Sequence, residues 1–121
     1  MLARGLAGAH GVLATRFGVV VCEAYAGRVR VFASGRLRTL AGGLGNPSYA
    51  VAAPEGVYVT EFGADQVSEI SRSGRVRRVG DVLQPGPIAR APDGALLVAS
   101  LDGTITRLDP RSGVTRRVYP R

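Results

Sequence analysis

A few side chains in this sequence are of types that carry chemistry. His10 lies in the segment Gly8-Ala9-His10-Gly11-Val12, and histidine is the natural general base near neutral pH. Glu23 and Glu61 are 38 residues apart and each follows a Val-rich run, so both end a predicted strand. With Asn46 they offer hard oxygen ligands, which predict a site for a divalent cation, Ca²⁺ or Mg²⁺.

Each of these candidates also has a structural explanation. His10 can be a lone turn histidine. Glu23 and Glu61 can pair with Arg on adjacent strands or end their strands at the surface. We therefore expect no obligatory cofactor. For the acidic residues in turns a structural explanation suffices, since Asp favours turns by bonding to local backbone amides. They are Asp65, Asp93, Asp102 and Asp109.

The elements that position these residues come from an internal repeat. Gly18, Gly56 and Gly94 are spaced by 38 residues, and aligned apolar positions follow each of them. The frame then slips by one, because the Ser-Gly pairs that end at Gly35, Gly74 and Gly113 are 39 apart. In this frame Ala99 takes the place of Glu23 and Glu61, while Ser48 and Gly86 take the place of His10. The chain is therefore three copies of one unit.

Each unit is predicted to contain four short strands joined by turns. In the middle unit we expect strands at about 48–53, 57–61, 66–71 and 75–79, with glycine in the first tight turn. A period near 40 with four strands fits a β-propeller blade, and segments with helical periodicity are not visible. A β-sandwich is the alternative, although nothing in a sandwich requires a strict repeat. We predict an all-β protein with one partial β-propeller domain over residues 1–121, with blades at about 8–41, 43–80 and 82–119.

Two segments of the middle unit resemble a known family. The run from Asn46 to Ala52, followed by the hairpin from Pro54 to Glu61, resembles the blade of NHL-repeat proteins and of the related virginiamycin B lyase-like and gluconolactonase-like β-propellers. The resemblance extends over about residues 8–119. It implies three four-stranded antiparallel blades, half of a six-bladed ring. It is specific for architecture and weak for activity, because propeller blades host unrelated functions.

The resemblance also suggests roles for the candidate residues. The segment around His10 is similar to the one that carries a catalytic histidine in virginiamycin B lyase-like enzymes. Glu23, Glu61 and Asn46 are similar to part of the ligand set around one ion in gluconolactonase-like propellers, although no Asp placed by a motif completes the set here. Ligands bind at the channel mouth of such propellers. The residues expected there are Tyr25, Ser48, Tyr49 and Phe62.

Charge and composition limit the partners. All 16 basic residues are Arg and the net charge is +7, which is compatible with a polyanion partner. Seven of these arginines, however, fall in the predicted fourth strands, where charge on an exposed edge discourages aggregation. We therefore expect no nucleic-acid partner, and an RNA-binding NHL-type module is only an alternative. The residues concerned are Arg36, Arg38, Arg75, Arg77, Arg78, Arg116 and Arg117.

The sequence gives less direct evidence on the cellular location and the assembly of the protein than on its fold. No apolar run is long enough for a membrane helix, and residues 1–7 do not resemble a signal peptide. We expect a cytoplasmic protein, or an extracytoplasmic one if the N-terminus is truncated. Three blades would leave two apolar faces open, at a cost on the order of 10 kcal/mol. The expected partner is a second copy of the chain or missing blades of the same chain, beside an unidentified protein or small-molecule ligand.

The function predicted first is therefore a non-catalytic scaffold that binds a ligand or a protein. An enzyme of the lyase or lactonase type is the alternative, and it requires His10, Glu23 and Glu61 to point into one cavity.

Overall fold

A computed structural model describes residues 6–120, and nearly all of its regular structure is β-strand. A single 3₁₀ turn, Phe62–Ala64, stands in the loop that precedes the third strand of the middle unit. The strands are β1 (Ala9–Thr15), β2 (Gly18–Glu23), β3 (Arg28–Ala33), β4 (Arg36–Ala41), β5 (Pro47–Ala53), β6 (Gly56–Glu61), β7 (Gln66–Ser71), β8 (Val76–Asp81), β9 (Pro85–Arg90), β10 (Leu96–Ser100), β11 (Ile105–Leu108) and β12 (Thr115–Tyr119).

The twelve strands form three separate four-stranded antiparallel sheets. The first sheet contains β1 to β4, the second β5 to β8 and the third β9 to β12, each in sequence order. The first strand of each sheet lies next to that of the following sheet, so β1, β5 and β9 are the inner strands. This arrangement confirms the predicted all-β fold with three blades. The strand bounds predicted for the middle unit agree with the observed bounds to within a residue or two.

Two apolar layers hold the three sheets together. Between the first and second sheets, Val20, Val29 and Val31 pack against Val57 and Ile70, all of them fully buried. Cys22 belongs to this layer, and burial raises the pKa of its thiol to about 12.

A second layer joins the second and third sheets. Tyr58 and Val67 pack there against Leu96, Val98 and Leu108. The first sheet thus buries one face against the second sheet, and the second sheet buries its other face against the third.

The third sheet departs from the strict 38-residue spacing. Its first hairpin pairs Ala91 with Ala95 through an N–H···O bond of 2.8 Å, whereas Ala53 pairs directly with Gly56 in the second sheet. The turn is therefore one residue longer, and β10 is shifted by one position. Counted between paired residues, the loop between β10 and β11 is one residue shorter than the loop between β6 and β7, so the 38-residue spacing is restored at β11.

The outer strands β4, β8 and β12 carry most of the exposed arginines, as the sequence predicted. No helix in the part of the chain that the structure describes is long and apolar enough to span a membrane. The N-terminal segment considered as a signal peptide includes residues 1–5, which lie outside the described residues.

Candidate functional site

A cavity of about 460 Å³ lies at the ends of the three sheets where the inner strands begin. All three sheets contribute to it, so we call it the axial cavity. It brings together six of the residues singled out in the sequence. They are His10, Tyr25, Asn46, Ser48, Tyr49 and Phe62. The third sheet adds Gln84, Pro85, Gly86, Pro87, Ser100 and Leu101.

His10 lies on β1 at the rim of the axial cavity and is exposed. Its ring meets the ring of Tyr25 edge to face, with centroids 5.8 Å apart and an interplanar angle of 68°. Such a contact orients the imidazole without supplying a proton acceptor.

The loops around the axial cavity are held by one repeated backbone contact. The carbonyl oxygens of Gly8 and Asn46 accept hydrogen bonds from the amides of Ala24 (3.0 Å) and Phe62 (3.1 Å). In the third sheet, the carbonyl of Gln84 accepts one from the amide of Leu101 at 3.1 Å.

The residue that supplies this carbonyl has a left-handed backbone in every sheet, with φ of 62° at Gly8, 49° at Asn46 and 44° at Gln84. Asn46 and Gln84 both line the axial cavity. At Gly8 the absence of a side chain makes room for Tyr25, because a Cβ there would lie 2.3 Å from the Tyr25 Cδ2 atom. Glycine adopts this conformation without steric cost.

Ser48, Tyr49 and Phe62 form the part of the cavity wall that the second sheet supplies. Ser48 is only 5% exposed, and its hydroxyl donates to the Asn46 carbonyl at 3.0 Å. Tyr49 is 38% exposed, and its amide donates to the Thr60 hydroxyl at 3.2 Å. The cavity wall is therefore aromatic, with a few polar atoms around it.

Glu23 and Glu61 do not line the axial cavity. Glu23 is fully buried and accepts hydrogen bonds from the Ala7 amide (2.8 Å) and from Nε of Arg28 (3.0 Å). Arg30 Nη1 lies 3.4 Å from the same carboxylate. Glu23 therefore pairs with arginines of the adjacent strand, which was one of the two structural explanations, but it does so in the interior.

Glu61 has the same position in the second sheet with neutral partners. Its carboxylate accepts hydrogen bonds from the Gly45 amide (2.9 Å), from Gln66 Nε2 (2.9 Å) and from the Ser68 hydroxyl. Both carboxylates are thus satisfied by protein donors, and Asn46 lines the axial cavity, which neither carboxylate does. Within residues 6–120, no group of three or more His, Cys, Asp or Glu side chains is arranged to hold a metal ion.

Opposing effects act on the pKa of Glu23. Burial by itself raises the pKa of this carboxyl. The hydrogen bonds from Arg28 and Ala7 and the charges of Arg28 and Arg30 lower it, and the net pKa lies below the ordinary glutamate value.

The third sheet has no carboxylate at the position of Glu23 and Glu61. The residue at that position is also not the one that the repeat predicted. Ser100 pairs with Pro85 as Glu61 pairs with Pro47, so Ser100 and not Ala99 is equivalent to Glu61. The extra residue in the hairpin before β10 is the reason. The same shift makes Leu101 the counterpart of Phe62, which brings Leu101 to the cavity.

Most third-sheet residues of the axial cavity were not predicted as site residues. Gly86 and the pair Gln84-Pro85 do occupy repeat positions equivalent to predicted ones. Ser100 and Leu101 could not be found in this way, since a constant spacing points to the residues before them.

The comparisons support the architecture. No protein-family model matches the chain, and no curated protein matches it in sequence. Virginiamycin B lyase from Staphylococcus aureus has a similar structure, with a TM-score of 0.77, 18% identity, and coverage of 93% of this chain and 42% of the lyase. A gluconolactonase from Xanthomonas campestris gives a TM-score of 0.80 at 15% identity, covering 96% of this chain and 48% of that one.

A chain of a nidogen/laminin complex is also similar, with a TM-score of 0.77 at 15% identity over 90% of this chain and 47% of the other. This chain thus spans less than half the length of each of these proteins. The resemblance seen in the sequence is confirmed at the level of the fold: the chain consists of β-propeller blades of the kind found in virginiamycin B lyase and gluconolactonase.

Proposed function

We propose that the chain is a non-catalytic scaffold that binds a small-molecule or protein ligand at the axial cavity. The observation that supports this most directly is the wall of the cavity. Tyr25, Tyr49 and Phe62 come from two different sheets, yet they line the same space of about 460 Å³. A largely apolar concave site with a few polar groups is the usual form of a ligand pocket.

The lining indicates the class of ligand. Among the described residues around the axial cavity there is no Asp, Glu or Arg, so a neutral ligand fits best. Aromatic faces bind flat or apolar groups, and the Asn46 and Gln84 side chains can bond to one or two polar atoms.

The same lining supports binding rather than catalysis. Of the three residues that the enzyme alternative requires, only His10 lines the cavity, while Glu23 and Glu61 are bonded elsewhere. A histidine general base is normally oriented by a second polar group, and the contact recorded for His10 is the ring of Tyr25. The nidogen/laminin complex offers a parallel for protein binding by this fold.

The scaffold is proposed to be completed by blades of the same kind. Ile105 of the third sheet is equivalent to Val29 and Val67, which are fully buried against the following sheet, whereas Ile105 is partly exposed. Val12 of the first sheet is 71% exposed, while its counterpart Ala50 packs into the layer between the first and second sheets. The two open faces therefore match each other, and a second copy or further blades of one chain would cover both.

Binding at the axial cavity can be tested with Nile red, an uncharged fluorescent probe of apolar sites. We expect Tyr25→Ala to weaken probe binding about fivefold, since a stacked aromatic contact contributes roughly 1 kcal/mol. Tyr119→Ala is the matched control, because Tyr119 is 60% exposed but lies on β12 away from the cavity. Equal binding by Tyr25→Ala and the unmodified chain would contradict the proposed site.

Catalysis can be tested by incubating the chain with virginiamycin B and, separately, with glucono-lactone, and following the substrates by mass spectrometry. We expect no turnover above the uncatalysed rate. Turnover that His10→Ala abolishes would establish the enzyme alternative instead.

A further inference from the structure

A second concave site lies at the opposite ends of the inner strands, between the second and third sheets. It encloses about 660 Å³ and shares no residue with the axial cavity. We call it the interblade groove. Its main polar lining consists of Tyr58, Glu69, Arg77, Arg90, Arg107 and Arg111.

Two of the four arginines in the interblade groove are paired. Arg77 Nη2 lies 2.8 Å from Glu69 Oε1, and Arg107 Nη2 lies 2.5 Å from Asp93 Oδ2. The guanidinium groups of Arg90 and Arg111 have no ion pair or hydrogen bond with any residue between 6 and 120. They leave positive charge available for a ligand.

The remaining acid of the groove, Asp109, bonds to backbone. Its Oδ1 atom accepts the amide of Arg111 at 2.8 Å. The groove therefore holds four arginines and three acids, a net charge of +1.

Tyr58 is an independent indication that the groove binds a polar group. Most of its side chain is buried, but its hydroxyl is accessible from the groove and has no hydrogen-bond partner in the described part of the chain. A tyrosine hydroxyl that opens into a concave site and has no protein partner is free to donate to a ligand there.

The charged groups of the groove surround this hydroxyl. Burial raises the pKa of Tyr58, Glu69 raises it further, and Arg90 and Arg77 oppose the shift. The hydroxyl therefore stays protonated at neutral pH and is available as a donor.

The corresponding groove between the first and second sheets lacks these features. Val20 stands in place of Tyr58, Ala52 in place of Arg90, and Glu69 in place of Arg107. Arg90 is on the inner strand β9 and Arg107 is on β11, the third strand of its sheet. Neither lies on an outer strand, so a role in preventing aggregation at an exposed edge does not explain them. The groove between the first and second sheets has arginines of its own, Arg16 and Arg72, so only the combination of Tyr58, Arg90 and Arg107 is particular to the interblade groove.

We propose that the interblade groove binds the phosphate group of a small organic phosphate, with Arg90 and Arg111 as its positive partners and the Tyr58 hydroxyl as a neutral donor. The fork of a guanidinium matches phosphate oxygens in geometry and charge. The groove is much larger than a phosphate ion, and Pro54 and Pro110 in its lining offer an apolar surface to the organic part.

The test is a calorimetric titration of the full chain with phenyl phosphate and, separately, with inorganic phosphate, in buffer that contains sodium chloride. We expect phenyl phosphate to bind more tightly than inorganic phosphate. Arg90→Gln should weaken binding about tenfold, the effect of losing one charge-assisted hydrogen bond. Tyr58→Phe keeps the ring in the core and should weaken binding about three- to tenfold.

Arg16→Gln is the matched control, because it removes the same charge from a residue that lines the groove between the first and second sheets. It should leave the affinity for phenyl phosphate unchanged. An equal loss in Arg16→Gln and Arg90→Gln would show that only net charge attracts phosphate, and would overturn the proposal. Absence of saturable binding, or inorganic phosphate binding as tightly as phenyl phosphate, would overturn it as well.

Discussion

At the scale of single residues, the repeated glutamates show how one position can take different partners. Glu23 and Glu61 each accept the amide of the residue 16 positions earlier, at 2.8 and 2.9 Å. Side chains five and seven positions later provide the other donors, which are arginines for Glu23 and Gln66 and Ser68 for Glu61. The carboxylates fasten the segment that leads into the inner strand to the third strand of the same sheet.

Glu23 should make the stability of the fold depend on pH. Its folded pKa is below the value of an unfolded glutamate, which is about 4.3. Its contribution to the free energy of unfolding is therefore fully present above that value and is lost as pH falls through the folded pKa. We expect stability to decline between about pH 5 and pH 3, and to decline less steeply in Glu23→Gln.

Urea unfolding followed by circular dichroism at several pH values measures this effect. At neutral pH, Glu23→Gln should itself cost about 2 to 3 kcal/mol, because Arg28 and Arg30 lose their charged partner. Glu55→Gln is the control, since Glu55 is exposed in a turn. The assignment would be wrong if Glu23→Gln and Glu55→Gln had the same pH dependence.

At the scale of elements, the hairpin turns decide which residues reach each surface. The direct pairing of Ala53 with Gly56 brings Gly56 against the third strand of its sheet, where a Cβ would lie 2.0 Å from the carbonyl oxygen of Ile70. The third sheet relaxes this constraint with a turn one residue longer, and the shift that follows brings Leu101 to the axial cavity.

Gly56→Ala should therefore destabilise the fold. The added methyl group meets backbone, which cannot move aside as a flexible side chain can, and overpacking of this kind costs about 2 to 3 kcal/mol. Thermal unfolding followed by circular dichroism measures the loss. Gly42→Ala is the control, because nothing lies within 4 Å of a Cβ at Gly42. Similar melting temperatures for the two variants would contradict this account of the turn.

At the scale of the whole molecule, the main feature is that the first and third sheets each have one face that no other sheet covers. The layers between the sheets are built from Val, Leu and Ile that are fully buried, whereas the equivalent faces of the first and third sheets have no neighbour among residues 6–120. Part of the apolar pattern that joins the first sheet to the second recurs at the open side of the third, where Leu97 and Ile105 are equivalent to Val20 and Val29.

Closure by a second copy predicts a dimer at twice the 12.6 kDa of one chain, measured by size-exclusion chromatography with light scattering. Val12→Glu should convert the dimer to monomer, because it buries a charge in the new contact. Val114→Glu is the control: Val114 is 64% exposed but lies in the turn before β12. A stable monomer of the unmodified chain would contradict closure by a second copy and leave further blades of one chain as the partner.

The sequence alone predicted the architecture, because short strands that recur with a fixed period bury their apolar side chains when equivalent sheets stack. It also identified His10, Ser48, Tyr49 and Phe62 as residues near one end of those sheets, because equivalent repeat positions occupy equivalent places. Their roles in binding stay predictions.

Only the tertiary structure decided which of these residues share a space. Glu23 and Glu61 have the residue types of metal ligands, but their hydrogen bonds to Ala7, Arg28, Gly45 and Gln66 depend on contacts between strands that spacing does not reveal. The one-residue shift in β10 was hidden as well, because a longer turn and a shorter loop cancel in the sequence. The position of Tyr58 beside Arg77 and Arg90 is likewise seen only once the second and third sheets pack together.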